Sequence, residues 1–80
     1  MKNEFITVQQ VIQDSCKKIG KSQIKVAKDL NISPATFNKY GKTTKLSLSV
    51  AESISEYFSG YNIDIDPIWL LRVQAGQILN

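Results

Sequence analysis

An all-α domain of five helices is the fold this 80-residue sequence predicts. Apolar residues recur at helical spacing in successive short segments. Residues that favour helix starts precede those segments, twice as a Ser-Pro or Asp-Pro pair. Glycines stand where the segments should stop. In helix 1, Thr7 to Ile19, the residues Val8, Val11, Ile12, Ser15, Cys16 and Ile19 fall on one face, and Gly20 follows as a residue free to turn left-handed. Ser22 is a natural cap for helix 2, Gln23 to Leu30, whose inner face is Val26, Ala27 and Leu30, with Lys25 and Lys28 on the outer side. Ser33 and Pro34 open helix 3. Proline is favoured at the first helical position and biases the residue before it away from helix. Helix 2 therefore cannot run through, and Asn31-Ile32-Ser33 form a tight turn, with Asn31 tolerating a left-handed backbone and Ile32 stapled to Phe37. Helix 3 is expected to reach Tyr40 and to end at Gly41.

Helix 4 is expected from about Leu48 to Phe58, with an apolar stripe of Val50, Ala51, Ile54, Tyr57 and Phe58. Its cap is either Ser47 or Ser49, the latter forming a capping box with Glu52. Ser59 to Asn62 read as a loop. Asp66 and Pro67 start helix 5, which carries Ile68, Trp69, Leu71 and Val73 to about Ala75, with Ile65 and Leu70 as a second staple and Gly76 at its end. Trp69 is expected to pack in the core, and Tyr57 and Tyr61 to make core or dimer contacts.

The composition narrows the function. A chain of this length forms a single domain with a modest core, and 42% apolar residues suit a globular protein. It has no histidine and one cysteine, Cys16, which the helical pattern places on an apolar face as a small buried thiol. That excludes zinc sites built from Cys and His, His-dependent catalysis and an internal disulfide, so neither an enzyme nor a metal or cofactor protein is expected. A reducing cytoplasm, at the nucleoid, is the expected location. No apolar run approaches the about 18 residues of a membrane span. Charge is distributed unevenly. Residues 1–45 hold nine lysines against three acids, net +6, and residues 46–80 hold Arg72 against four acids, net −3. A basic N-terminal half points to a polyanionic partner.

The stretch from Gln23 to Tyr40, Gln-Ile-Lys-Val-Ala-Lys-Asp-Leu-Asn-Ile-Ser-Pro-Ala-Thr-Phe-Asn-Lys-Tyr, strongly resembles the helix-turn-helix of phage Cro and repressor proteins, the XRE-type transcriptional regulators. Ser47-Leu48 and Ile65 to Leu71 are similar to later segments of the same family, so the resemblance covers about residues 7–76. It implies a λ-repressor-like five-helix domain with its helix-turn-helix at about residues 23–41. Ala27 would be small because two helices cross there, and Phe37 would anchor the recognition helix in the core. The chain departs from the family at the turn, where Asn31 stands for the usual glycine, at Pro34-Ala35, where several phage members carry a polar base-reading pair, and at Gly41, where many carry glutamate. The family's reading code therefore does not transfer.

On this basis the expected DNA-binding residues are Gln23, Ser33, Pro34, Ala35, Thr36, Asn38, Lys39, Lys42 and Lys45. The resemblance places Gln23 where the start of helix 2 meets a phosphate. Ser33 caps the recognition helix, and Pro34 and Ala35 can touch a thymine methyl. Thr36 can bond a phosphate or a helix carbonyl. Asn38 can pair with adenine and Lys39 with guanine, or Lys39 can bind phosphate, as Lys42 and Lys45 are expected to do. The expected partner is double-stranded DNA, bound by a homodimer that pairs through the C-terminal helix and the apolar Ile78 and Leu79. No membrane and no small-molecule ligand are expected to take part. With one domain and no ligand-sensing module, control is expected through expression level or partners, and repression by occlusion is the favoured mode. The rival is a protein–protein module, an antitoxin or coregulator that keeps the helix-turn-helix as a scaffold.

Overall fold

The computed structural model describes residues 6–76. Five helices follow one another: α1 Val8–Ile19, α2 Gln23–Asp29, α3 Pro34–Phe37, α4 Leu48–Ser59 and α5 Pro67–Gln74. Each start is capped by the side chain of the residue before it, Thr7, Ser22, Ser33, Ser47 and Asp66 in turn, which accepts a bond from a first-turn amide. Helix α4 is capped by Ser47, whose hydroxyl accepts from the Val50 amide at 3.2 Å. Ser49 lies inside the helix, so the capping box with Glu52 does not form.

Three helices end in the same way. After α1 the Gly20 amide donates to Lys17 O and the Lys21 amide to Cys16 O; after α2 Asn31 donates to Lys28 O and Ile32 to Ala27 O; after α4 Asn62 donates to Ser59 O and Ile63 to Phe58 O. This paired pattern needs a left-handed residue at the turn. Gly20, Asn31 and Asn62 supply it, at φ 70°, 61° and 65°. In the loop after α4 the left-handed position thus falls on Asn62, whereas Gly60 keeps a helical φ of −63°.

Helix α3 corrects the expectation most. It is a single turn that ends at Phe37, with Asn38 as its cap, rather than running to Tyr40. The Asn38 amide still donates to Pro34 O, but the Lys39 amide donates to Thr36 O and the Tyr40 amide to Phe37 O, so the backbone tightens and leaves the α-helical pattern. Tyr40 and Thr44 then form an isolated bridge. Gly41 turns the chain at φ 82°, and a Cβ there would lie 2.7 Å from Val8 Cβ, so the glycine lets this loop press against the start of α1.

The core joins all five helices. Val8, Ile12 and Cys16 of α1, Val26 and Ala27 of α2, Phe37 of α3, Ala51, Ile54 and Phe58 of α4, and Leu70 and Val73 of α5 are buried, with Tyr40, Leu46 and Ile65 from the connections. Ala27 has no accessible surface, as the close crossing of α2 and α3 requires. Ile32 and Trp69 pack partly buried against this core, and Ile65 and Leu70 are both buried. Tyr57 is half-buried on the core, while Tyr61 is exposed and its ring leans on Tyr57. Burial pushes the Cys16 thiol above its ordinary pKa, as befits an inert packing residue. Among the described residues no helix is long and apolar enough to cross a membrane.

Candidate nucleic-acid interface

The predicted site residues lie at the start of α2, along α3 and in the loop that follows it. Ser33 and Thr36 are tied to each other: Ser33 Oγ accepts from the Thr36 amide at 3.1 Å and donates to Thr36 Oγ1 at 3.1 Å. Their hydroxyls therefore organise the turn before they can serve a ligand. Pro34 is half-buried and Ala35 exposed. Asn38, Lys39, Lys42 and Lys45 are all exposed. Because α3 is so short, the polar pair Asn38-Lys39 sits at its exit and not on a helical face.

The loop from residue 38 to 45 is closed upon itself. Lys39 O accepts from the amides of Lys42, Thr43 and Thr44 at 2.9, 3.2 and 3.2 Å, and the Gly41 amide donates to Thr44 O at 3.0 Å. Its two ends are anchored by the buried side chains of Tyr40 and Leu46. Gln74 of α5 holds the Leu46 peptide with both ends of its carboxamide, accepting from Leu46 N and donating to Leu46 O at 3.1 Å. Lys39, Lys42 and Lys45 thus extend from a loop whose backbone is closed by its own hydrogen bonds.

Gln23 is half-buried, and its Nε2 donates to Gln9 Oε1 at 3.3 Å. Gln9, on α1, is a buried polar residue that the sequence analysis passed over. Its Nε2 donates to Phe37 O at 3.0 Å and to Tyr40 O at 2.9 Å. A signal for it existed: Gln9, Ile12 and Cys16 share one helical face, so a polar residue stands at an inward position. Leu46 had a similar signal as a lone apolar residue between Lys45 and Ser47.

Not every lysine of the basic half is equally available. Asp29, at the end of α2, pairs with Lys25 at 3.2 Å and Lys21 at 3.5 Å, and accepts from the Tyr57 hydroxyl at 2.7 Å. Lys21 also lies over the Tyr61 ring, 5.3 Å from its centre. This cluster ties α2 to α4. The Tyr57 hydroxyl and then Lys25 hold the Asp29 carboxyl below its ordinary value of 3.8. A carboxyl depressed in the folded state stabilises the fold above its unfolded pKa and loses that contribution as the pH falls towards its folded value. Asp29→Asn is therefore expected to be less stable than the wild type at neutral pH, with the gap narrowing below 3.8. Thermal melts from neutral to acid pH check this, and a gap that stays constant with pH would contradict it.

An open groove of about 300 Å³ runs between Val11, Asp14 and Lys18 of α1 and Ile63, Asp64 and Trp69. None of the predicted site residues lines it. Comparison with family models, with curated proteins and with solved structures returns no match to this chain.

Proposed function

We propose that this protein binds double-stranded DNA sequence-specifically through α2, α3 and the lysine loop, and that it regulates transcription, as a repressor that occludes a palindromic operator. The supporting observation is the arrangement of Ala35, Asn38, Lys39, Lys42 and Lys45: all exposed, spread along α3 and one anchored loop whose start Gln9 links to Gln23 of α2. The tight Asn31-Ile32-Ser33 turn between α2 and α3 and the buried Ala27 fit a λ-repressor-like helix-turn-helix. Asn38 and Lys39 carry base recognition in this proposal, and Lys42 and Lys45 neutralise phosphates.

Asn38→Ala and Lys45→Ala separate these roles. Asn38→Ala should cost about 1–3 kcal/mol on the preferred duplex and relax one base-pair position. Lys45→Ala should weaken all duplexes alike and make the salt dependence shallower by about one contact. Titration of labelled duplexes measures both, and an unchanged preference in Asn38→Ala would remove it from base recognition.

A homodimer is part of the proposal, since one helix turn and its loop span few base pairs. Ile68 and Leu71 of α5 share a face with Ala75, which caps its end, and Ile68 is 50% exposed. Ile78 and Leu79, expected to extend this contact, lie outside the described residues. The rival, a protein-interaction module, draws on exposed Ile24 and Leu48, which stand apart from α5 in the sequence. Binding to a protein partner without salt-dependent binding to any duplex would favour it.

A further inference from the structure

A helix leaves its last carbonyls without partners inside the helix, and a buried end must find them elsewhere. At the end of α3 the Phe37 carbonyl, reached only at 3.5 Å by the Tyr40 amide, gains a closer partner from α1. Gln9 is 6% exposed, and its two N–H groups reach Phe37 O and Tyr40 O, the carbonyls between which the helix gives way to the lysine loop. Its carboxamide oxygen accepts from Gln23 at the start of α2. Both donors and the acceptor of one side chain are thereby committed, each to a segment of the interface. Asn38 and Lys39 lie between the two carbonyls that Gln9 holds.

We propose that Gln9 is a positioning residue for duplex recognition: through one buried carboxamide, α1 sets the placement of Asn38 and Lys39 relative to Gln23. The inference rests on the DNA-binding function proposed above. Gln9 is too enclosed to touch a duplex and carries no charge, so it contributes nothing to attraction by phosphates. Its loss frees the exit of α3 while the lysines remain. Discrimination between sequences should therefore fall while charge-driven binding persists, because phosphate contacts tolerate small displacements and bidentate base contacts do not.

The test uses the wild type, Gln9→Met, Asn38→Ala and the double variant, each titrated with a duplex selected from a random pool and with a scrambled duplex of equal length. Methionine keeps the length of the side chain and removes its hydrogen bonds. Gln9→Met is expected to bind the scrambled duplex within about twofold of wild type, the scatter of an independent site. Its preference for the selected duplex should drop about tenfold or more, the scale of one good base contact. Asn38→Ala should have little further effect on preference in the Gln9→Met background. A retained preference, or an equal loss on both duplexes, would overturn the proposal. Circular dichroism checks that Gln9→Met folds. Should it not fold, the Gln9 side-chain amide resonances of the wild type give the answer: they should shift with the selected duplex and not with the scrambled one, and no shift would overturn the proposal. A wild type that binds neither duplex would end the DNA function and this role with it, whereas failure of the Gln9 role alone leaves wild-type preference intact.

Discussion

Duplex binding by this protein is expected to weaken by about 10³–10⁴-fold between roughly 50 and 200 mM salt. Lysines that neutralise phosphates release condensed counterions, and each such contact adds about 0.9 to the log–log slope. Lys39, Lys42 and Lys45 are the exposed cations of the proposed interface, to which the start of α2 is expected to add a contact. About three to four contacts per subunit give a dimer a slope of roughly −5 to −7. The whole charge of the basic half does not enter, because Asp29 already holds Lys21 and Lys25. A slope much steeper than this would mean that those two lysines also leave Asp29 for phosphate. Fluorescence anisotropy across a salt series measures the slope, and a flat response would contradict DNA binding.

The largest effect on stability is expected from Phe37→Ala, a loss of about 3–5 kcal/mol. Native domains are stable by only about 5–15 kcal/mol in total, so this variant should be close to unfolding. Phe37 has no accessible surface and meets Tyr40 edge-to-face at 6.4 Å between ring centres. It is the only residue of α3 buried in the core, so its ring is what fastens that turn to the rest of the molecule. Truncation leaves a cavity where α1, α2 and α3 meet, while the backbone carbonyl that Gln9 holds stays in place. Urea unfolding should show a much lower midpoint with an unchanged slope. A loss under about 1 kcal/mol would mean that the site collapses around the missing ring, contrary to the close packing described.

Much of this fold was legible because its signals are local. Ser22, Ser33-Pro34 and Asp66-Pro67 each act on the amides of the next turn, so the starts of α2, α3 and α5 could be read from neighbours in the chain. Asn31 announced its left-handed turn in the same way. The end of α3 was not legible, since the last carbonyl of the helix is met by a carboxamide 28 residues away in sequence. Gly41 looked like a stop signal for a longer helix, but the glycine is needed for the close approach of Val8, four residues after the helix has ended. The choice of Ser47 over Ser49 has a similar origin. Leu46 is buried and its peptide is held by Gln74, again 28 residues away, which brings Ser47 to the helix start. The residues of the candidate site were named from the helix-turn-helix pattern, but their support was not: Gln9 and Gln74 are polar side chains whose partners are backbone groups, and backbone groups carry no mark in a sequence.

Selection of bound duplexes from a random pool, using the folded wild-type protein, tests the central claim most directly. DNA recognition by a two-fold dimer predicts an enriched palindromic consensus, with half-sites centred about one helical turn, roughly 34 Å, apart. Recovery of duplexes with no sequence enriched over the starting pool would contradict it.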